Sequence, residues 1–170
     1  MVIDVIDNFL PLNDFYEIRN HIMKPTFPVY IQTGVSSPTE EDFLWNWYGI
    51  HTIYFDNIPK SNFYELINDK IISKINNFKS LIRCRVNVYP WTETLQEHGV
   101  HVDKEWQHNS CILSLNTCDG YTKVYDNENN IFRKIESVEN RMLFFDGSVP
   151  HHSTTTTTSK LRYNIALNYL

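Results

Sequence analysis

Leu81-Ile82-Arg83-Cys84-Arg85-Val86-Asn87-Val88-Tyr89-Pro90 is the stretch on which the fold turns. Ahead of it the apolar residues recur at close to four; from Leu81 onward the period is two. Ile82, Cys84, Val86 and Val88 take one face, and Arg83, Arg85, Asn87 and Tyr89 take the other, until Pro90 stops the strand. A strand whose second face is wholly polar lies in solvent or lines a polar cavity. Tyr89 at its end favours the cavity, although a solvated face would serve Arg83 and Arg85 equally well.

Downstream, residues 110–116, 121–125, 131–135 and 141–145 read as further strands. Asp126-Asn127-Glu128-Asn129-Asn130 is a hairpin turn, and Asp146-Gly147 is a break. The Ser/Thr tract 153–159 is extended chain or a loop at the cavity mouth. The last strand alternates Leu161, Tyr163, Ile165, Leu167 and Tyr169 against Arg162, Asn164, Ala166 and Asn168.

Upstream, residues 2–5 suit an edge strand. Asn13 reads as the N-cap of a helix with Phe15, Ile18 and Ile22 on its apolar stripe, ended by Pro25. Residues 26–42 carry Pro28, Gly34, Ser36, Ser37 and Pro38 and read as loop or irregular hairpin. Residues 43–55 hold Phe43, Trp45, Trp47, Tyr48, Tyr54 and Phe55, either core packing or part of a substrate cleft. Ser61 caps a second helix with Phe63, Ile67, Ile71, Ile75 and Phe78. Two helices followed by about eight short strands predict an α+β fold: a double-stranded β-helix (jelly-roll) core with the N-terminal helices packed on one sheet. Residues 1–170 form one domain, with 1–80 as support and 81–170 as the core half.

Composition sets the outer limits. At 170 residues with 42% hydrophobic content the chain suits a globular domain. A net charge of −5 gives no footprint for nucleic acid, and no run of about twenty apolar residues suggests a membrane span. The first residues carry acids where a signal peptide carries Lys or Arg, and Cys84, Cys111 and Cys118 lack zinc-knuckle pairing; both point to a cytoplasmic protein with reduced thiols. Oligomeric state leaves no mark here.

The chemistry gathers at Gly99-Val100-His101-Val102-Asp103. On a strand, His101 and Asp103 would point the same way. Seven His and ten Asp in 170 residues give about 0.4 His-x-Asp pairs by chance, so the motif alone is weak. Its context is stronger. Pro150-His151 follows an apolar strand, 48 residues after Asp103, and Arg162 comes eleven residues after His151 on the polar face of the last strand. Two imidazoles and a carboxylate on one face of a metal leave the other face open, as non-haem iron chemistry requires. Zinc is the competitor, with Glu97 or Glu105 as the additional acid a hydrolase would need. Arg162, a planar fork for a carboxylate, favours iron with 2-oxoglutarate. His21, His51 and His108 read as surface or satisfied core groups, and Trp91 and Trp106 as either core or substrate contacts.

These residues carry a resemblance. Tyr89-Pro90, His101-Val102-Asp103, Cys111-Ile112-Leu113-Ser114-Leu115-Asn116, Arg141-Met142-Leu143-Phe144-Phe145, Pro150-His151 and Arg162-Tyr163 resemble the prolyl 4-hydroxylase branch of the Fe(II)/2-oxoglutarate dioxygenases, over about residues 81–170. The resemblance implies His101, Asp103 and His151 as ligands of Fe(II), with Arg162 on the distal carboxylate of 2-oxoglutarate. It also gives Tyr89 a hydrogen bond to the cosubstrate and places Ser114 and His98 on the wall beside it. Ser114 stands where similar enzymes often have tyrosine. In the doublet His151-His152, the preceding Pro150 and the spacing from Phe145 favour His151. The implied reaction consumes O2, converts 2-oxoglutarate to succinate and hydroxylates an unactivated C–H, with ascorbate as an optional reductant. The implied substrate is a peptide or protein, and the segment 26–56 could clamp it; a free amino acid, nucleobase or small metabolite is the alternative. A metal-free jelly-roll binding module using the aromatics of 43–55 is the reading from a different class.

Overall fold

Strict alternation at 81–90 and 161–169 produces the central pair of a large antiparallel sheet. The protein is described from a computed structural model covering residues 3–36, 43–126 and 130–170. Val2 of the expected edge strand, Ser37 and Pro38 of the expected loop, and Asn127, Glu128 and Asn129 of the expected turn lie outside the described residues. In chain order the elements are β1 (Asp4–Ile6), α1 (Leu12–Ile22), β2 (Tyr30–Thr33), β3 (Trp47–Phe55), β4 (Ile58–Pro59), α2 (Tyr64–Lys70), a 3-10 turn (Ile72–Lys74), β5 (Leu81–Pro90), β6 (Asn109–Ser114), β7 (Tyr121–Tyr125), β8 (Ile131–Glu136), β9 (Met142–Asp146), β10 (His151–Ser153) and β11 (Leu161–Tyr169). An eight-stranded sheet runs β1-β9-β6-β11-β5-β3-β2 with β4 on β3, and a three-stranded sheet runs β10-β7-β8. All pairings are antiparallel. This is the jelly-roll core expected, with seven described strands after the second helix where about eight were expected. Four more precede it, of which β2 and β4 are short edge pieces too brief to show a period.

The apolar face of the large sheet carries the main core. Cys84, Val86, Ile165 and Leu167 are buried there beneath Phe15, Ile18 and Ile22 of α1 and Ile67 of α2. The helices therefore pack on one sheet, on the side away from the polar face. Their ends differ from expectation. Asn13 lies inside the first turn of α1; Pro11, extended at φ −51 and ψ 139, holds the cap position and its carbonyl accepts from Phe15 N–H at 3.0 Å. Ser61 lies two residues before the cap position of α2, which Phe63 holds; its Oγ accepts from Phe63 N–H at 3.2 Å in the turn that leads into the helix. That helix is shorter than its stripe: after Lys70 it tightens into the 3-10 turn, and Asn77 at φ 58 redirects the chain toward β5. Residues 26–36, expected as loop or irregular hairpin, include β2, which pairs antiparallel with β3 on the sheet edge.

Register places the polar face. On β11, Arg162 lies level with Tyr89, Asn164 with Asn87, Ala166 with Arg85 and Asn168 with Arg83. On the other side Asn164 meets Ser114, Ala166 meets Ile112 and Asn168 meets Ser110. Three central strands thus present four polar rows, and β10 and β7 of the small sheet face them across a cavity.

Candidate metal centre

His101, Asp103 and His151 converge, with one ligand atom from each lying within 4.8 Å of the others. The strand expected over residues 99–103 is reduced to a single bridge. His101 and His151 exchange backbone hydrogen bonds of 3.0 and 2.8 Å, and the chain then bends so that Asp103 N–H reaches Gly147 O at 3.1 Å. The bend ends the ladder, yet His101 and Asp103 still share a side. His151 Nδ1 lies 2.9 Å from Val149 O, and His101 Nδ1 lies 3.2 Å from Gly99 O. A carbonyl oxygen only accepts, so both Nδ1 atoms carry the proton and both Nε2 lone pairs are left for a metal. Burial pushes the His151 imidazole down to about 4 and lowers that of His101, so both are neutral ligands near pH 7.

Asp103 is held on every side. Arg83 Nη2 donates to its Oδ1 at 2.5 Å, while Asn168 Nδ2 and Ser110 Oγ donate to Oδ2 at 2.7 and 3.1 Å. Arg83 Nε in turn donates to Asn168 Oδ1 at 2.8 Å, closing a ring. Burial opposes ionisation of Asp103, but His151, Arg83 and the Asn168 bond outweigh it and hold the carboxyl well below its usual range. Gly147 is needed here: a Cβ on it would come within 2.3 Å of both Ser110 Oγ and His108 Nε2. A neutral, neutral, anionic donor set with the carboxylate kept ionised fits a divalent metal ion.

Arg162 stands at the other end of the polar face, 1% exposed. Its Nη1 donates to Thr154 O at 3.1 Å and its Nη2 to Thr122 Oγ1 at 3.2 Å, while Nε is buried with no partner. The guanidinium lies 5.3 Å from the Tyr89 ring centroid, and no acid among the described residues pairs with it. A buried cation without an anion is costly unless a ligand supplies one.

Comparisons with known proteins bear on this arrangement. No family model matches the sequence, and no curated protein matches it. Solved structures do. A prolyl hydroxylase from Trichoplax adhaerens, in complex with a hypoxia inducible factor oxygen degradation domain peptide fragment, gives a TM-score of 0.68 at 20% identity over 99% of this chain and 83% of that one. An oxidoreductase of the 2OG-Fe(II) oxygenase family from Burkholderia pseudomallei gives 0.70 at 11% identity over 98% and 84%. A non-haem α-ketoglutarate-dependent carbocyclase from nogalamycin biosynthesis gives 0.66 at 12% identity over 98% and 78%. The chain has the fold of the Fe(II)/2-oxoglutarate oxygenases.

Within that oxygenase fold the other expected residues take distinct places. His152 turns from the triad toward Glu97, with Nε2 3.6 Å from Oε2. Tyr89 lines the cavity between Tyr48 and His98, at 5.8 and 5.2 Å between centroids. His98 donates or accepts at Ser153 Oγ, 2.9 Å away, and its Nε2 has no partner. Ser114 sits on the same face opposite Asn164, one row beyond Ile112, and outside the residues that line the cavity. Glu97 is engaged by Tyr121 and Lys123, and Glu105 is exposed, so Asp103 is the one acid among the described lining residues. Among the described residues, neither Glu97 nor Glu105 supplies the additional acid a zinc hydrolase would use. His51 is satisfied by Pro28 O and Ser61 Oγ, and His21 stacks on Phe63. His108, buried under Trp106, meets Trp106 O and Asn168. The aromatic run 43–55 divides: Tyr54 packs on the core, while Trp45 lies 5.8 Å from His98.

Sequence reasoning missed two supports. Asp119 gathers the tract 156–158 through the hydroxyls of Thr156, Thr157 and Thr158, fixing the strand that carries Thr154 O to Arg162. Gly120 lies against Arg162 so closely that a Cβ would meet Cδ at 2.6 Å and Thr155 O at 2.8 Å. Neither partner is near in sequence, so no local pattern shows them. Cys84 and Cys111 are buried and their thiols pushed up by burial, which makes them inert. No described helix is long and apolar enough to cross a membrane.

Proposed function

We propose that this protein is an Fe(II)- and 2-oxoglutarate-dependent dioxygenase that hydroxylates an unactivated C–H. The observation that carries the reading is the pairing of two features: three ligands with free metal-facing atoms at the cavity, and, behind its Thr122 wall, a fully buried Arg162 with no acid partner among the described residues. His101, Asp103 and His151 would hold Fe(II). Arg162, with Thr122 beside it, would hold the distal carboxylate of 2-oxoglutarate, and Tyr89 would flank it. The bound metal supplies oxidation by O2 coupled to decarboxylation of the cosubstrate to succinate, with ascorbate as an optional reductant. The chain's own share is to present neutral imidazoles, to keep Asp103 ionised and fixed through Arg83, and to exclude water from the Arg162 end.

The substrate is read as a prolyl residue of a peptide or protein. The solved relative with a bound peptide supports this, as do the exposed sheet edge at β2 and the aromatic path through Trp45 toward His98. Anaerobic titration with Fe(II) and 2-oxoglutarate tests the class: a visible charge-transfer band that bleaches in air with release of succinate is expected. A folded protein that gives no band would refute it.

A further inference from the structure

Arg83 stands at the metal-ligand end of β5, level with Asn168 of β11. Its guanidinium is fixed on two sides: Nη2 donates to Asp103 Oδ1 at 2.5 Å, and Nε donates to Asn168 Oδ1 at 2.8 Å. The Arg83 side chain is 18% exposed and that of Asp103 11%, so the pair is largely withdrawn from water. The fold has little need of it. A buried ion pair is often no better for stability than apolar residues of the same size, and Asp103 already accepts from Asn168 and Ser110 at its other oxygen. Arg85 follows on the same face of β5, and Asp103 is the one carboxylate among the described residues that line the cavity.

The charges at this end of the cavity nearly cancel before any metal enters. The two imidazoles are neutral donors, and the negative charge of Asp103 is matched by Arg83. A divalent ion held by these three ligands therefore keeps both its positive charges, where a carboxylate with no cationic partner would offset one. Oxidation of Fe(II) to Fe(III) adds a third, with a guanidinium one hydrogen bond away from the ligand carboxylate. Like charges this close repel strongly where water is scarce. Donation from Arg83 also draws electron density out of the carboxylate, which makes it a poorer ligand for the more highly charged ion. Both effects oppose the loss of an electron.

We propose that Arg83 is a positioning residue that, acting through Asp103, sets the redox balance of the metal centre and holds resting iron in the ferrous state. In air, resting Fe(II) can pass one electron to O2, leaving Fe(III) and superoxide. The positive neighbour disfavours that step and lessens the need for a reductant such as ascorbate. The inference rests on the dioxygenase reading and goes beyond the part already given to Arg83, which is to keep Asp103 ionised and in place.

The test is an anaerobic redox titration of the whole chain loaded with iron and no cosubstrate, with the ferric ion followed by electron paramagnetic resonance. Arg83→Gln offers Asp103 an uncharged donor, Arg83→Met removes donor and charge together, and Arg83→Lys keeps the charge. Both neutral variants should move the Fe(III)/Fe(II) ratio at a given potential at least tenfold toward Fe(III), a fall of about 59 mV or more for one electron. Arg83→Lys should stay within about threefold of wild type, and Mn(II) affinity of the neutral pair within about tenfold. An unchanged ratio in the neutral pair, or an equal shift in all three variants, would overturn the proposal. So would loss of folding or of metal binding by both neutral variants, because Arg83 would then only organise Asp103. Since 2-oxoglutarate is left out, its failure to bind would remove the dioxygenase reading and leave this result intact. Wild type that takes up no Fe(II) would remove both.

Discussion

Replacing Arg162 by Met tests whether that side chain exists for the fold or for a ligand. In the ligand-free protein the guanidinium is 1% exposed, has no acid partner and leaves Nε unpaired. Removing such a charge in favour of an apolar side chain of similar length typically gains about 1–4 kcal/mol. The change also forfeits the bonds to Thr154 O and Thr122 Oγ1, at about 1 kcal/mol each. These terms nearly cancel, so the empty variant should unfold close to wild type. Cosubstrate affinity should respond very differently, falling by about 3–5 kcal/mol, or roughly 10²- to 10³-fold or more. Thermal unfolding of the Mn(II)-loaded protein separates the two effects. With 2-oxoglutarate at a hundred times its dissociation constant, wild type gains about 2.7 kcal/mol, or about 5–11 °C for a domain of this size. Arg162→Met should show almost no shift. A variant that unfolds far below wild type when empty, yet keeps the full ligand shift, would refute the argument.

His151→Ala should weaken Mn(II) or Co(II) binding more than about 100-fold, while His152→Gln leaves it within about threefold; metal titration separates the two members of the doublet. Gly120→Ala drives a Cβ to 2.6 Å from Arg162 Cδ, so it should cost about 1–3 kcal/mol in denaturant unfolding and weaken 2-oxoglutarate as well. If cosubstrate affinity survives that substitution, Arg162 is not where the cosubstrate binds. Burial and the nearby Arg162 charge push the His98 imidazole down to about 3, against about 6.5 in the unfolded chain. Between those values the unfolded state binds the extra proton, so stability falls as pH drops from about 6.5 toward 3. His98→Gln should make that acid limb shallower by up to about 1.4 kcal/mol per pH unit in urea unfolding, with no change above pH 7.

The two central strands were legible because their faces differ in chemistry along their whole length. Cys84, Val86, Ile165 and Leu167 go to the helices, and Arg83, Arg85, Asn87 and Asn164 go to the cavity. The stretch 99–103 has the same written alternation but the opposite apolar sense. Val100 is 52% and Val102 37% exposed, while His101 and Asp103 turn inward. Such a segment has no apolar face to pin it to a sheet, so it runs as a loop fixed by Asp103 N–H and Gly147 O. The threonine tract, read as extended chain or a loop at the cavity mouth, is extended at Thr154 and Thr156, but its polarity gives no sign that Thr154, Thr155 and Thr156 are fully buried. Asp119, 37 residues before Thr156, takes up the neighbouring hydroxyls and N–H groups, and a contact at that separation leaves no periodic trace.

The metal ligands were readable as a spacing, but their support was not, because support depends on register between strands far apart in the chain. Arg83, Asn168 and Ser110 share one row only when β5, β11 and β6 pair as they do, and that row is what grips Asp103. A slip of one residue in β11 would send Arg162 and Asn168 to the helix side and bring Tyr163 and Tyr169 into the cavity. Burial of Ile165 and Leu167 beneath the helices prevents that slip. The apolar face of the sheet, remote from any ligand, therefore determines where the guanidiniums stand. Once that register is locked, Arg162 is desolvated with no acid partner among the described residues, and the fold itself gains nothing from its charge. That positive charge has a physical purpose only when an anion reaches it.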